Sequence, residues 1–251
     1  MKDIQRDILD KITPEIRKEM ESIWFTADLH AEHPKIVNIC NRPVYHDKQF
    51  VADLIKRRSE DSEIDMEEWD MYVDKEYLAH INPKNNEWLI KEVINSVVNK
   101  NDDLYILGDV TMANRIISDK FLDRLNGNKR LITGNHDKNI RKSTRFCEIT
   151  QIKNFTFSRA NLNIHIILCH YPMLSWERRI HGAWHLYGHV HGRNPGIGRS
   201  HDVGIDNLDN LWRPRNLYEI CQIMSHKPLW DELDKHLNPY EVTNPKAGTE
   251  I

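Results

Sequence analysis

The chain has 251 residues, of which 39% are hydrophobic and 29% charged, and a formal net charge of -3. That length can bury a sizeable core, and that composition excludes the disordered and fibrous classes. The slightly acidic balance argues against broad electrostatic affinity for nucleic acid, leaving it open as a substrate held in a local basic groove.

From the start, Ile4, Ile8, Leu9, Ile12 and Ile16 recur at helical spacing, interrupted near Pro14, so an amphipathic lead-in helix is predicted. Ile23-Trp24-Phe25-Thr26-Ala27 reads as a buried strand ending at Asp28-Leu29-His30. Residues 47–83 interrupt the rhythm with a dense run of charges, either a solvated helical face or a lid inserted between two strands. Leu104 to Leu107 and Arg130 to Thr133 are strands that stop at Gly108-Asp109 and at Gly134-Asn135-His136-Asp137. Between them a helix spans residues 114–125, closed by Asn126-Gly127. Strand, helix, strand is the α/β pattern.

Lys138, Arg141, Lys142 and Arg145 fall at i, i+3, i+4 and i+7, one basic helical face that is either solvated or a groove for a second phosphate or a nucleic-acid backbone. Phe155 to Phe157, Ile164 to Cys169, Trp184 to Tyr187, Val203 to Ile205 and Leu217 to Ile220 read as further strands. Two of them end at polar residues, His170 and the run Gly188-His189-Val190-His191. The reading is a single domain over residues 1–225, with a helical insertion at 47–83 and a peripheral tail at 226–251. Cys40, Cys147, Cys169 and Cys221 are far apart and form no C-x-x-C pair, which suits reduced packing residues rather than disulfides or a thiolate zinc site. No stretch approaches the ~18 apolar residues of a membrane span, and the polar start Met1-Lys2-Asp3 is unlike a signal peptide, so a cytoplasmic protein is expected.

Fourteen histidines make the chain rich in imidazole. In extended backbone, residues i and i+2 point the same way, so Asp28 and His30 can converge on one ion, as can His189 and His191. Carboxylate oxygen with neutral imidazole suits manganese, iron, zinc or nickel. Any one such pair is weak as a signal. The ordered set D-x-H, G-D, G-N-H-D, a lone His and G-H-x-H, each at a predicted strand end, is specific.

In that set the chain resembles the calcineurin-like metallophosphoesterase superfamily over about residues 23 to 222, most closely its small bacterial and phage members. The resemblance implies a four-layer α/β/β/α sandwich with two mixed central sheets, and two divalent metal ions per chain, manganese favoured with iron, nickel or zinc as alternatives. It implies one metal held by Asp28, His30, Asp109 and His191, and a second by Asp109, Asn135, His170 and His189, with Asp109 bridging. His136 would then contact the phosphate or protonate the leaving oxygen, with Asp137 a candidate to orient it, because Met112 stands where many members carry an Asp or His for that purpose. Arg42 and His33 are candidate substrate contacts.

The implied activity is hydrolysis of a small or nucleotide-like phosphodiester by a metal-bridging water. The alternatives are a phosphomonoesterase using the same site and, more remotely, a non-catalytic metal-binding module. The oligomeric state is not set by the sequence.

Overall fold

A computed structural model describes residues 6–33, 35–44, 56–57, 59–60 and 66–229. The lead-in is two short helices, α1 (Arg6–Leu9) and α2 (Pro14–Met20), the second with Pro14 in its first turn and capped by the Thr13 side chain. Strand β1 (Ile23–Thr26) follows, then the short helix α3 (Ile36–Ile39). Next come the 23-residue helix α4 (Met66–Trp88), which has Pro83 inside it, and a π-helical turn, Leu89–Ile94. The predicted insertion at 47–83 is therefore helical from Met66 and runs on past residue 83. Its remainder, residues 47–55, 58 and 61–65, lies outside the described residues.

The first sheet is built by β1, β2 (Asp103–Ile106), β3 (Asn128–Ile132) and β4 (Glu148–Thr150), all parallel, with helix α5 (Arg115–Leu122) crossing over between β2 and β3. The second contains the hairpin of β5 (Ile152–Arg159) and β6 (Leu162–Cys169), then β7 (Trp184–Tyr187) and β8 (Ser200–Asp202) parallel to β6. A last short strand, β9 (Arg215–Asn216), pairs antiparallel with β1 and leads into helix α6 (Leu217–Ser225). Both sheets are mixed, in the orders β4-β3-β2-β1-β9 and β5-β6-β7-β8.

Alternation along the strands makes the sandwich. Phe25, Tyr105, Leu107 and Ile132 point from the first sheet into one core with Phe155, Phe157, Ile164, Ile166, Leu168 and Leu186 of the second. Their neighbours Trp24, Leu104, Ile106 and Leu131 point the other way, into a core with Leu89, Val93, Phe121 and Leu122 of the helical layer. Met20, Leu217, Ile220 and Met224 of α2 and α6 extend the inter-sheet core. The outer face of the second sheet is packed by the segment carrying Met173 and Trp176, which meet Ile167. This mixed α/β architecture with two mixed sheets is the one expected from the sequence.

Three segments differ from expectation. Val203 to Ile205, read as a strand, lies just past β8 and makes only an isolated bridge, from Gly204 to Ala27. Leu217 to Ile220, read as a strand, begins α6, because Asn216 and Glu219 form a reciprocal capping box. Leu217, Ile220, Cys221 and Met224 then recur at helical spacing against the core. The predicted basic helix at 138–145 is only a three-residue 3-10 turn, Asp137–Asn139. Arg145 from that stretch is bound instead to Asp123.

Candidate metal centre

β1, β2, β3, β6 and β7 each hand the chain to a polar loop at their carboxyl ends, the edge where α/β sheets place ligands. The loops are tied to one another: Asp28 N donates to Gly108 O at 3.0 Å, His30 N to Asp109 O at 2.9 Å, and Gly188 N to His170 O at 2.9 Å. A parallel bridge from Ala27 to Gly204 joins the two sheets at this end. Gly188 lets the sheets close here, since a Cβ on it would lie 2.5 Å from both the Ala27 Cβ and Asp28 Oδ2.

Asp28 and His30 lie beyond the end of β1, and His189 and His191 beyond the end of β7. The strand pleat therefore does not aim them. Asp28, His30, Asp109, His189 and His191 all have positive φ, between 47° and 71°, a conformation costly for non-glycine residues and concentrated at functional sites. The left-handed turns gather Asp28, His30 and His191 into one group of possible metal ligands, and Asp109, His170 and His189 into a second. Within each group the ligand atoms lie within 4.8 Å of one another.

Asp109 stands between the groups. Its Oδ1 accepts the His136 backbone N–H at 2.9 Å. Its Oδ2 lies 3.7 Å from His30 Nε2, 3.4 Å from His170 Nε2 and 4.0 Å from His136 Nε2. His170 is fully buried, and its Nδ1 lies 2.7 Å from the Leu107 carbonyl, to which it can only donate. The Nε2 lone pair then faces Asp109 Oδ2 and, at 3.2 Å, Asn135 Oδ1. With the ring neutral, three acceptors converge there, the arrangement a cation satisfies; in its place a proton on Nε2 bonds Asp109, which against the effect of burial raises the His170 pKa. His30 makes the same case: it is buried, and neither ring nitrogen has a hydrogen-bond partner among the described residues. Its Nε2 sits 3.9 Å from Asp28 Oδ1 on one side and 3.7 Å from Asp109 Oδ2 on the other.

The electrostatics follow from burial and neighbours. Burial pushes the Asp28 carboxyl up to about 7 against the pull of His191 and His170. Burial holds His30 well below the ordinary histidine range, leaving it neutral with the lone pair of one ring nitrogen available to a metal. At Asp109, burial raises the pKa but the His170 hydrogen bond and charge outweigh it, bringing the carboxyl down to about 2. His191 is likewise desolvated, yet Asp206 and Cys40 at its Nδ1 push it up to about 10.

Asp206 carries support that the sequence reading missed. Its Oδ2 lies 2.8 Å from His191 Nδ1, which leaves Nε2 for an ion. Both of its oxygens are also held by Arg42, at 2.8 and 2.9 Å. The signal was present in that Asp206 ends the apolar run Val203-Gly204-Ile205, as the motif residues end theirs.

Arg42, a candidate substrate contact, is buried and fully committed. Besides Asp206 it donates to Leu29 O and Asp28 O, each at 2.8 Å, and to Asn85 Oδ1 at 3.3 Å. It braces the Asp28 loop from behind and has no donor left for a phosphate, so the expectation of a substrate contact is corrected. Asp137 is corrected too. Its carboxylate accepts the backbone N–H groups of Asp109, Val110 and Gly134 at 2.9, 3.0 and 2.7 Å. Fully buried, it fixes the two motif loops together and does not orient the His136 ring. His136 itself and Asn135 are exposed at the mouth of the site. His33 stands beside His30, with ring centroids 5.5 Å apart, and its Nδ1 accepts the Lys35 N–H at 3.1 Å.

The sequence profile of the calcineurin-like phosphoesterases matches residues 21–246, and the chain belongs to that family of metal-dependent phosphoesterases. It is similar to the Gene 66 protein of Mycobacterium phage L5, 24% identical over 234 aligned positions that cover 80% of this chain and 94% of that protein. It is also similar to an uncharacterised protein of Methanocaldococcus jannaschii, 24% identical over 177 residues, 70% of this chain and 72% of that one. A crystal structure of a protein of unknown function from Aquifex aeolicus aligns with a TM-score of 0.48 at 20% identity, covering 80% of this chain and 98% of that one. Among the described residues no helix is long and apolar enough to cross a membrane.

Proposed function

We propose that this member of the calcineurin-like phosphoesterase family is a phosphodiesterase that cleaves a small or nucleotide-like diester at a two-metal centre bridged by Asp109. The observation that carries the reading is the convergence of lone pairs on Asp109 Oδ2 from His30 and His170, with Asn135 closing on His170. Asp28, His30, Asp109 and His191 would hold one ion, and Asp109, Asn135, His170 and His189 the other. The mixed oxygen and imidazole set suits manganese, iron, nickel or zinc, of which we favour manganese. Two divalent cations there supply charge neutralisation of the phosphate and activation of water.

The protein's own groups do the rest. The His136 backbone N–H holds Asp109 Oδ1 so that Oδ2 faces both ligand groups. Asp137 fixes the backbone on either side of that carboxylate. The exposed His136 imidazole stands within reach of an incoming phosphate and is the candidate proton donor to the departing oxygen.

The test strips the protein of metal, reloads it separately with manganese, nickel, zinc and magnesium, and assays each form on a diester and its matched monoester. The expected result is two metals per chain and faster diester cleavage. Asp109→Ala should lose metal and nearly all turnover, and a variant retaining both would overturn the bridge. Faster monoester cleavage would replace the diesterase reading with a phosphomonoesterase, and bound metal without turnover on either would leave a metal-binding module.

A further inference from the structure

Beside the candidate metal centre, on the side of His191, the protein surface opens into a cavity of about 480 Å³, within the size range of small-molecule sites. His191 forms part of its wall, so a group seated in the cavity is adjacent to the Asp28, His30 and His191 position. The opposite wall comes from the loop after β8.

Its chemistry is mixed in a specific way. Ile39 and Leu208 line the cavity while standing 53% and 69% exposed, apolar side chains that the fold leaves uncovered. Trp212 adds an aromatic surface, held edge-on against Trp88 at 5.9 Å between ring centroids. Leu211 and Trp212 both have positive φ, 53° and 59°. For a bulky residue this is a strained conformation that the surrounding structure must enforce, as happens where a side chain is presented to a ligand. Around these apolar surfaces stand Asn41, Arg193 and Asp209, all exposed. They supply donors and acceptors with opposite charges that cancel.

A hydrocarbon chain would leave those polar groups unmatched, and a second phosphate, drawn to Arg193 and repelled by Asp209, would find no net charge to hold it. A flat, neutral ring with donors and acceptors on its edge matches both sets of groups, since bases stack on aromatic and apolar surfaces and hydrogen-bond at their rims. We infer that this cavity is the subsite for the nucleobase of a nucleoside ester, and that Trp212 and Leu208 form its stacking surface. The inference rests on the phosphoesterase reading, because it places the nucleoside on the phosphate that the metal centre binds.

Calorimetry on the manganese-loaded protein tests it, with thymidine 5′-monophosphate, ribose 5-phosphate, hexyl phosphate and free thymidine as probes. The nucleotide should bind about 5- to 150-fold more tightly than ribose 5-phosphate, the usual range for loss of one stacked base. That ratio should collapse in Trp212→Ala. It should also fall in Leu208→Ser, a change at an exposed position that leaves the Trp88 contact in place. Equal affinity for the nucleotide and ribose 5-phosphate, or an unchanged ratio in both variants, would overturn the subsite. Hexyl phosphate binding as tightly as the nucleotide would overturn the nucleobase assignment. Binding of thymidine that depends on Trp212 and Leu208, in a protein that cleaves no phosphoester, would support the subsite while removing the phosphoesterase reading.

Discussion

At the level of single residues, the site divides the side chains proposed as metal ligands from side chains that hold those in place. His136 belongs to neither group. Its backbone N–H is committed to Asp109, whereas its ring is exposed and 4.0 Å from Asp109 Oδ2. An alkoxide leaving group needs a proton in the transition state, and p-nitrophenolate departs without one, so a general acid is felt unequally by the two. His136→Ala should therefore retain both metals and slow an alkyl or nucleoside diester by roughly 10²- to 10⁴-fold, with a smaller loss on a p-nitrophenyl diester. Equal losses on both substrates would make the ring a stabiliser of phosphate charge, and metal loss would show that it belongs among the ligands.

At the level of elements, the centre rests on a brace that runs from the Asp28 loop through Arg42 to helix α4. Ile81 of α4 packs with Ile36, Val37 and Val44 around the short helix α3. Asn85, four residues on, meets Arg42, and Asn86 exchanges hydrogen bonds with Glu32. The C-terminal end of α4, which runs on past the predicted insertion, is thus a structural support for the site. Arg42→Ala would leave the buried Asp206 with His191 as its one remaining partner among the described residues, and breaking a buried ion pair in this way typically costs about 3–5 kcal/mol. It should also weaken metal binding through His191 by about 10- to 100-fold, the usual effect of losing a ligand's own support. Urea denaturation and metal titration of the variant check both. A rise in KM alone, with stability and metal affinity unchanged, would return Arg42 to the role of substrate contact.

The same brace shows what the sequence could and could not convey. The strands ending at Asp28, Asp109, Asn135, His170 and His189 were legible because each apolar run stops at a ligand-type residue next to a turn. Arg42 was legible as a notable residue but not as a buried one, because its partners Asp206 and Asn85 lie 164 and 43 positions away. Asp137 was misread for a similar reason: two of the amides it binds, those of Asp109 and Val110, are 28 and 27 positions away. The beginning of α6 reads as a strand because Leu217-Tyr218-Glu219-Ile220 is a short, mostly apolar run with an aromatic residue, and only the capping box with the later Cys221 and Met224 reveals the helical period. Periodicity reports which face is buried, whereas a polar residue's role depends on partners brought together by the whole fold.

For the whole molecule, two buried groups should make stability respond to acid in opposite directions. His201 on β8 is buried, with its Nε2 2.9 Å from Asn210 Oδ1, and burial brings its pKa down to about 4 despite that hydrogen bond. Lys227 and Arg215 lower it further, and Asp209 opposes them. The unfolded chain therefore takes up a proton here at a higher pH than the folded protein does. This contribution is complete above about 6.5, falls as the pH drops from about 6.5 to about 4, and amounts to roughly 3 kcal/mol. Asp28 acts in reverse in metal-free protein: with its folded pKa raised to about 7, acidification from about 7 towards 4 favours the folded state. The two effects oppose each other over the same pH range, and His30, held by burial well below the ordinary histidine range, adds to the loss in acid. The difference between wild type and His201→Gln isolates the histidine. In urea denaturation with chelator present, the difference should be constant above about pH 6.5 and shift by roughly 3 kcal/mol in favour of the variant by about pH 4. Parallel curves would show that His201 does not titrate differently on unfolding. Reloading the metal should leave this difference unchanged while removing the opposing contribution of Asp28, because a bound cation keeps that carboxylate ionised.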